Sequence, residues 1–463
     1  MELVAAMTQE NPNLRVAVID KDPPGGICLT RGCIPSKLLI YPASVVRTVE
    51  RSHEFGISAE IERVDFKAVM ERMRSIIDRD VNMIRNGISQ SKNIDYYVAQ
   101  AEFTAPYTIK VGKVTITSKT IFLSTGSRPS IPPVEGLEET GYFTSDTILE
   151  ITQLPSSIAI IGGGYIAAEY GHFLSAMGAK VTIIGRNPQF IPEEEPEVSA
   201  LAKRELQKHV TILTNNEVRK AEATLKGKKL TAVDRYSKRE TEIIVEEILV
   251  ATGRVPNTDI LHPEKAGIET DSKGFITADE YMQTSQANIW VLGDADGKFM
   301  FKHVANHEAQ IVYYNAVIKK KIKMDYHAVP HAVFTDPEIA SVGLREKEAV
   351  EKYGKDNILI GFYKYADTAK GEAMSLKDDF VKVIVKRDTG QILGAHIIGP
   401  EASVLIQEII NLMYTENQSL APLKRAMHIH PSLSEVVARA FQSFMTTDQY
   451  QHFLERHSGL PLQ

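Results

Sequence analysis

The sequence of 463 residues predicts an α/β fold, in which apolar strands alternate with helices. Residues 157–161 have the β-branched pattern of a strand and run into a turn with three consecutive glycines, Gly162-Gly163-Gly164. A helical pattern follows as far as Met177, and the next strand covers residues 180–184. A similar strand over residues 14–20 ends in an acidic residue. Together these segments predict two nucleotide-binding domains of the Rossmann type.

The glycine turn has the G-x-G-x-x-A spacing of a dinucleotide fingerprint, with Gly162, Gly164 and Tyr165 at the start of the helix. Such glycines let the backbone approach a pyrophosphate, which then lies at the helix N-terminus. The second strand departs from the NAD pattern, because Gly185 stands where a ribose-binding carboxylate is expected and Arg186 follows it. The nucleotide is therefore predicted to be NAD or NADP, with NADP favoured. The alternative is that Arg186 is a solvated surface residue.

Only two cysteines are present, Cys28 and Cys33, and they lie five residues apart. One close pair in a long chain is not a framework of structural disulfides, and a short loop gains little stability from cross-linking. Gly32 permits a bend before Cys33, and Pro35 suits the first turn of a helix beginning there. A thiolate at that helix N-terminus should have a lowered pKa. One alternative is that the two thiols are simply buried as small apolar groups. The other is half of a zinc site, but no second cysteine pair is present to complete the four ligands, so no metal is predicted.

The segment Gly25-Gly26-Ile27-Cys28 through Gly32-Cys33-Ile34-Pro35-Ser36-Lys37 resembles the redox-active site of the FAD-containing pyridine nucleotide-disulfide oxidoreductases. Within that family it looks most like dihydrolipoamide dehydrogenases. The resemblance extends over nearly the whole chain. It implies an FAD domain over residues 1–147, an NAD(P) domain over 148–275, a central FAD-binding segment over 276–326 and an α+β dimerisation domain over 327–463. It also implies FAD as cofactor and a homodimer with shared active sites.

One part of the family pattern is absent from the sequence given. Residues 2–9 resemble the helix that follows the glycine turn of the FAD domain, and Asp20 is placed like its ribose-binding carboxylate. The first strand and the G-x-G-x-x-G turn do not precede them. We expect that about 10 to 20 residues belong before Met1, as strand and fingerprint lengths require, and that the start codon is misassigned.

The resemblance assigns roles to individual residues. Lys37 would lie near the flavin and pair with Glu169, and Asp294 would bind the ribityl hydroxyls. His430 would be the base of thiol chemistry, and Glu435 would orient its ring. The remaining cofactor-binding positions are Asp20, Gly26, Thr125, Gly126, Ser127, Gly162, Gly164, Tyr165, Arg186, Gly253, Arg254, Gly293 and Ala305.

The activity implied is electron transfer between a dithiol or disulfide and NAD(P) through FAD and a Cys28–Cys33 disulfide. Dihydrolipoamide, free or on a lipoyl carrier protein, is the first expected substrate. An alternative is an NADPH-dependent reductase of small disulfides, similar to glutathione reductases, which Tyr165 and Arg186 favour. A flavin-poor, non-catalytic paralogue is a third possibility. A mercuric reductase is disfavoured because that family carries a further C-terminal cysteine pair.

The composition is that of an ordinary globular enzyme, with 43% hydrophobic and 24% charged residues. A net charge of −6 gives no basic surface for nucleic acid, and no apolar run reaches the length of about 18 residues that a membrane helix needs. Reduced thiols and the lack of a signal-peptide pattern predict a cytoplasmic location.

Overall fold

The structure is a computed structural model, which describes residues 1–11 and 13–457. The chain folds into α/β layers with parallel strands, followed by an antiparallel sheet, so the predicted fold class is confirmed. The domain boundaries stay a prediction. None of the helices in the described residues is both long enough and apolar enough to cross a membrane.

The N-terminal part is built from parallel strand pairs and long helices. Strand β1 pairs with β2 in parallel, and the helices α3 and α4 pack against each other through apolar side chains. A small antiparallel sheet of β3, β4 and β5 follows, and β6 leads to the turn before β7. The elements are α1 (Glu2–Glu10), β1 (Val16–Asp20), α2 (Gly26–Thr30), α3 (Cys33–Glu50), α4 (Phe66–Gln90), β2 (Ile94–Val98), β3 (Ala101–Ala105), β4 (Thr108–Val111), β5 (Val114–Thr117), β6 (Ile121–Leu123) and β7 (Ser127–Pro129).

The middle of the chain forms a five-stranded parallel sheet with the order β11-β10-β9-β15-β8, next to an antiparallel meander of β12, β13 and β14. Strands β9 and β10 and the helix between them lie where the sequence predicts them. The elements are α5 (Leu137–Thr140), β8 (Phe143–Thr144), β9 (Ser157–Ile161), α6 (Tyr165–Met177), β10 (Lys180–Ile184), α7 (Pro196–Leu206), β11 (Thr211–Leu213), β12 (Asn216–Thr224), β13 (Gly227–Asp234), β14 (Glu240–Val245), β15 (Glu247–Val250) and β16 (Arg254–Pro256).

The chain then returns to the N-terminal part before it enters the last sheet. Strand β17 pairs with β6 in parallel, and β16 pairs with β7. The last third is a six-stranded antiparallel sheet with the order β18-β19-β22-β21-β20-β23. The elements are β17 (Ile289–Val291), α8 (Lys302–Ala316), β18 (Pro330–Val333), β19 (Ile339–Gly343), α9 (Glu346–Tyr353), β20 (Ile358–Lys364), α10 (Ala369–Ala373), β21 (Phe380–Lys386), β22 (Ile392–Ile398), α11 (Ala402–Met413), α12 (Ala421–Arg425), α13 (Ser434–Ala440), β23 (Phe444–Thr446) and α14 (Thr447–His457).

A buried ion cluster joins the middle sheet to the last one. The side chain of Lys382 on β21 is 1% exposed, and its Nζ lies 2.6 Å from Glu197, 2.7 Å from Glu346 and 3.3 Å from Glu195. The Tyr450 hydroxyl donates to Glu197 at 2.6 Å. The three carboxylates lie close enough together to hold a metal ion, but the ammonium group of Lys382 binds all three. The cluster therefore ties the start of α7 to the last sheet.

Candidate redox and nucleotide site

The two cysteines lie on either side of a turn that only glycine fits. Cys28 is in the short helix α2, and Cys33 is the first residue of α3. A Cβ atom at Gly32 would lie 2.9 Å from the Ile27 carbonyl oxygen, too close for any side chain. This turn brings the two thiols into hydrogen-bond contact, with Cys28 half-buried and Cys33 exposed.

The two thiols have opposite acidities. A hydrogen bond from Cys28, reinforced by the positive charge of Lys37, lowers the pKa of Cys33 to about 6. The same hydrogen bond, together with burial, raises the pKa of Cys28. Cys33 is therefore the thiolate at neutral pH, as the helix-start position predicts. Cys28 needs a base to give up its proton.

Lys37 and Glu169, predicted as a pair, are in contact. The Lys37 Nζ donates to both carboxylate oxygens of Glu169 at 2.8 and 2.7 Å. The Glu169 carboxylate also accepts the backbone N–H of Phe334 at 3.1 Å, and the Phe334 ring lies 4.6 Å from Lys37 Nζ. Because Glu169 is on α6 and Phe334 follows β18, this pair connects the cysteine helix to both later sheets.

Polar side chains expected to face FAD lie together at the ends of β6, β7 and β17. The Ser127 hydroxyl donates to Asp294 at 2.5 Å and accepts from the Arg254 guanidinium at 2.7 Å. In the described part of the chain, the buried hydroxyl of Thr125 has no hydrogen-bond partner. This cluster contains two hydroxyls and a carboxylate, and the Thr125 hydroxyl is still available to a ligand. Such a set of polar groups fits the hydroxyls of the ribityl chain of FAD.

The other predicted positions of this face are turns. Gly126, Gly253 and Gly293 all have positive φ, which glycine adopts without strain. A Cβ at Gly293 would lie 3.4 Å from the Ala305 methyl group on α8, so the strand end and the helix start are in close contact. Gly26, also at positive φ, has open space where a side chain would stand. These turns leave backbone groups accessible to a ligand.

Asp20 closes β1, as predicted. Its carboxylate accepts the Asp22 backbone N–H at 3.0 Å, and burial raises its pKa. Arg31 lies between Asp22 and Asp146, and its Nε is 3.1 Å from the Asp146 carboxylate. Arg31 and Asp146 were not predicted from the sequence as site residues. The only sequence feature that could have indicated them is the position of Arg31 between the two cysteines.

The nucleotide fingerprint has the predicted geometry. A Cβ at Gly162 would lie 2.1 Å from the Ala251 carbonyl oxygen, whereas Gly164 has nothing within 4 Å. Any side chain at position 162 would collide with the backbone at Ala251, so glycine is required there. Gly164, in contrast, leaves room for a ligand at the start of α6. Tyr165 follows at the helix start, 38% exposed, and burial raises its hydroxyl pKa to about 12.

His430 and Glu435 form the predicted pair at the other end of the chain. The His430 Nδ1 lies 3.1 Å from both carboxylate oxygens of Glu435, and the side chain of His430 is 71% exposed. The hydrogen bond from His430 lowers the pKa of Glu435. Within the described residues, His430 makes no hydrogen bond to either cysteine. The neighbouring histidine, His428, pairs with Glu408 at 2.9 Å.

The chain matches two family models. Residues 3–309 match the pyridine nucleotide-disulphide oxidoreductase model, and residues 329–441 match the dimerisation domain of the same family. This chain belongs to that family. Its members of class I are FAD-dependent enzymes that use NAD or NADP, in agreement with the resemblance of the cysteine segment.

Several characterised proteins are similar along nearly their whole length. Mycothione reductase of Mycobacterium tuberculosis is 36% identical over 438 residues, which are 92% of this chain and 94% of that protein. Dihydrolipoyl dehydrogenase of Synechocystis is 33% identical over 456 residues, 95% of each protein. Among solved structures, the HOCl-induced flavoprotein disulfide reductase RclA of Escherichia coli matches with a TM-score of 0.83 and 27% identity, covering 95% of this chain and 97% of that one.

Proposed function

We propose that this enzyme uses NADPH to reduce a low-molecular-weight disulfide through Cys28 and Cys33. The observation that carries the proposal is the thiol pair itself: Cys28 in α2 and Cys33 at the start of α3 lie on either side of one turn, with the pKa of Cys33 lowered and that of Cys28 raised. The nucleotide side supports NADPH, because Gly185 and the exposed Arg186 follow β10 in place of a carboxylate. The relation to mycothione reductase supports a small disulfide as substrate.

The residues have separate tasks in this proposal. Bound FAD would carry the electron pair from NADPH to the Cys28–Cys33 disulfide. His430 would then take the proton of Cys28, whose thiolate attacks one sulfur of the substrate disulfide and releases the first thiol. Cys33 would attack Cys28 in the mixed disulfide, releasing the second thiol and restoring the protein disulfide. Two electrons pass to the substrate. His430 returns the proton of Cys28 to the first departing thiolate, and the second departing thiolate takes a proton from the solvent.

We further propose that His430 acts on the cysteines of a second copy. Met427 is 99% exposed and Ile429 is 78% exposed, and both lie beside His430 in the chain. Two large apolar side chains so exposed are typical of a surface that another protein covers. The match of residues 329–441 to a dimerisation domain supports a homodimer as that arrangement.

Oxidation of dihydrolipoamide, the first expectation from the sequence, is the second candidate. The 33% identity to a dihydrolipoyl dehydrogenase supports it, as does the sequence Leu433-Ser434-Glu435 after the His-Pro step. The same cysteines and the same base would run the reaction in the opposite direction. The two candidates differ in which nucleotide and which sulfur compound give the higher kcat/KM.

Steady-state turnover of the FAD-loaded enzyme distinguishes the candidates. We expect kcat/KM for NADPH with a small disulfide, tested with mycothione and oxidised glutathione, to exceed kcat/KM for NAD⁺ with dihydrolipoamide. Lipoamide with NADH provides the matched measurement in the reducing direction. Turnover confined to dihydrolipoamide and NAD⁺ would replace the first candidate with the second.

A further inference from the structure

We infer that the turn between β13 and β14 supplies a second set of cations for the 2′-phosphate of NADPH, centred on Arg235 and Lys238. This inference rests on the proposed use of NADPH and identifies residues outside the dinucleotide fingerprint. The turn is far from the fingerprint in sequence, but the fold places it beside the end of β10.

Hydrogen bonds to backbone carbonyl oxygens hold the turn against the segment that follows β10. The Arg235 guanidinium donates to the Arg186 carbonyl oxygen at 3.0 Å, and the Arg235 backbone N–H donates to the Asn215 carbonyl at 2.8 Å. The Asn215 N–H in turn donates to the Asn187 carbonyl at 2.8 Å. Arg235 therefore stands directly next to Arg186, at the strand end where a fingerprint places the nucleotide ribose.

A cavity of about 470 Å³ opens at this junction. It is large enough for a ribose with its phosphate group, and its wall is mostly polar. Arg235 and Lys238 line it, and so does Pro188, which is two residues after Arg186. The complete lining is Pro188, Asn215, Glu217, Arg219, Val233, Arg235, Tyr236 and Lys238.

The charges in the cavity favour an anion. Glu217 is its one carboxylate, and it is paired with Arg219 at 2.6 Å. In contrast, Arg235 and Lys238 of the lining form no ion pair with any residue in the described ranges 1–11 and 13–457. The same holds for Arg186, which is not a lining residue but contacts Arg235 through its carbonyl oxygen. The neighbouring Asp234 is engaged within the turn, because its carboxylate accepts the backbone N–H groups of Tyr236 and Ser237 at 3.0 and 2.7 Å.

Among the described residues, three cationic side chains without an ion-pair partner lie around the end of one strand. A doubly charged phosphate bound there would offset much of their charge. Arginine is well suited to this task, since its planar group donates several hydrogen bonds to phosphate oxygens. One guanidinium N–H of Arg235 is engaged with Arg186, and its other donors remain for a ligand. Lys238, whose Nζ donates to the Arg235 carbonyl oxygen at 2.6 Å, would add a point charge.

The experiment compares binding of 2′,5′-ADP and 5′-AMP, which differ only in the 2′-phosphate, to the FAD-loaded protein by calorimetry. We expect the wild type to bind 2′,5′-ADP more tightly. Arg235→Ala should weaken 2′,5′-ADP binding about 3- to 10-fold and leave 5′-AMP unchanged, since exposed charge–phosphate contacts are modest in strength. Lys238→Ala should act in the same direction. Arg239→Ala, an exposed arginine on the same turn that is not part of the cavity lining, is the matched control.

Each outcome decides a separate point. If the wild type prefers 2′,5′-ADP and only Arg186→Ala removes the preference, the turn plays no part and the inference is overturned, while the proposed use of NADPH stands. If the wild type binds both probes equally, the inference and the NADPH preference both fall. Turnover of disulfides with NADH would then still test the thiol chemistry independently. Loss of the preference in Arg239→Ala as well would assign the effect to the general charge of the turn and overturn the specific site.

Discussion

Replacing His430 with glutamine slows the exchange between the enzyme thiols and the substrate by a factor on the order of 10² to 10⁴, the usual contribution of a positioned general base. The reason lies in the acidity of the pair, because the hydrogen bond to Cys33, together with burial, raises the pKa of Cys28. Without a base, Cys28 has no acceptor for its proton. Stopped-flow mixing of the reduced enzyme with a disulfide measures this step.

His428→Gln is the matched control for this prediction. Its ring is bound to Glu408 and is two residues from His430, so we expect a rate within a few-fold of wild type. Transfer of hydride from NADPH to an artificial acceptor should be nearly unchanged in both variants, since it bypasses the cysteines. An equal loss in both half-reactions would show that His430 stabilises the fold and does not act as the base.

Replacing Lys382 with methionine lowers the free energy of unfolding by about 3–5 kcal/mol, the cost of leaving buried charges without a partner. Burial works against the charged ammonium group, but Glu197, Glu195 and Glu346 outweigh it and hold the pKa of Lys382 above its ordinary value. Without the ammonium, three carboxylates face one another in the interior. Denaturant titration measures the loss.

Lys347→Met is the control for this second prediction, because Lys347 neighbours Glu346 but its side chain is 88% exposed. We expect a change within about 1 kcal/mol there. Adding Glu197→Gln to Lys382→Met should recover part of the loss, because one of the unpaired charges is removed. A Lys382→Met protein as stable as the wild type would show that the cluster is solvated.

Short-range sequence patterns predicted much of the secondary structure. The β-α-β unit over residues 157–184 lies where the spacing of apolar residues and the glycine turn predict it. Such a unit can be predicted because short-range geometry determines it. The Lys37–Glu169 contact joins residues 132 positions apart, and it was predicted through the family resemblance alone. The roles of the individual site residues remain predictions.

Contacts between distant segments could not be predicted in the same way. Nothing near Lys382 in the sequence identifies it as buried, because its carboxylates come from α7 and α9, far along the chain. Arg235 likewise reaches Arg186 only once the meander has folded beside β10. The Phe334 contacts with Lys37 and Glu169 were missed for the same reason, since its backbone N–H is directed by the last sheet.

Counting thiols before and after adding NADPH tests the central proposal most directly. Because Cys28 and Cys33 are the only cysteines, every thiol that appears belongs to this pair. The air-oxidised, FAD-loaded enzyme should show no free thiol after denaturation, and anaerobic treatment with NADPH should raise the count to two per chain. An unchanged count after NADPH, with FAD bound, would contradict electron transfer from the nucleotide to the cysteines.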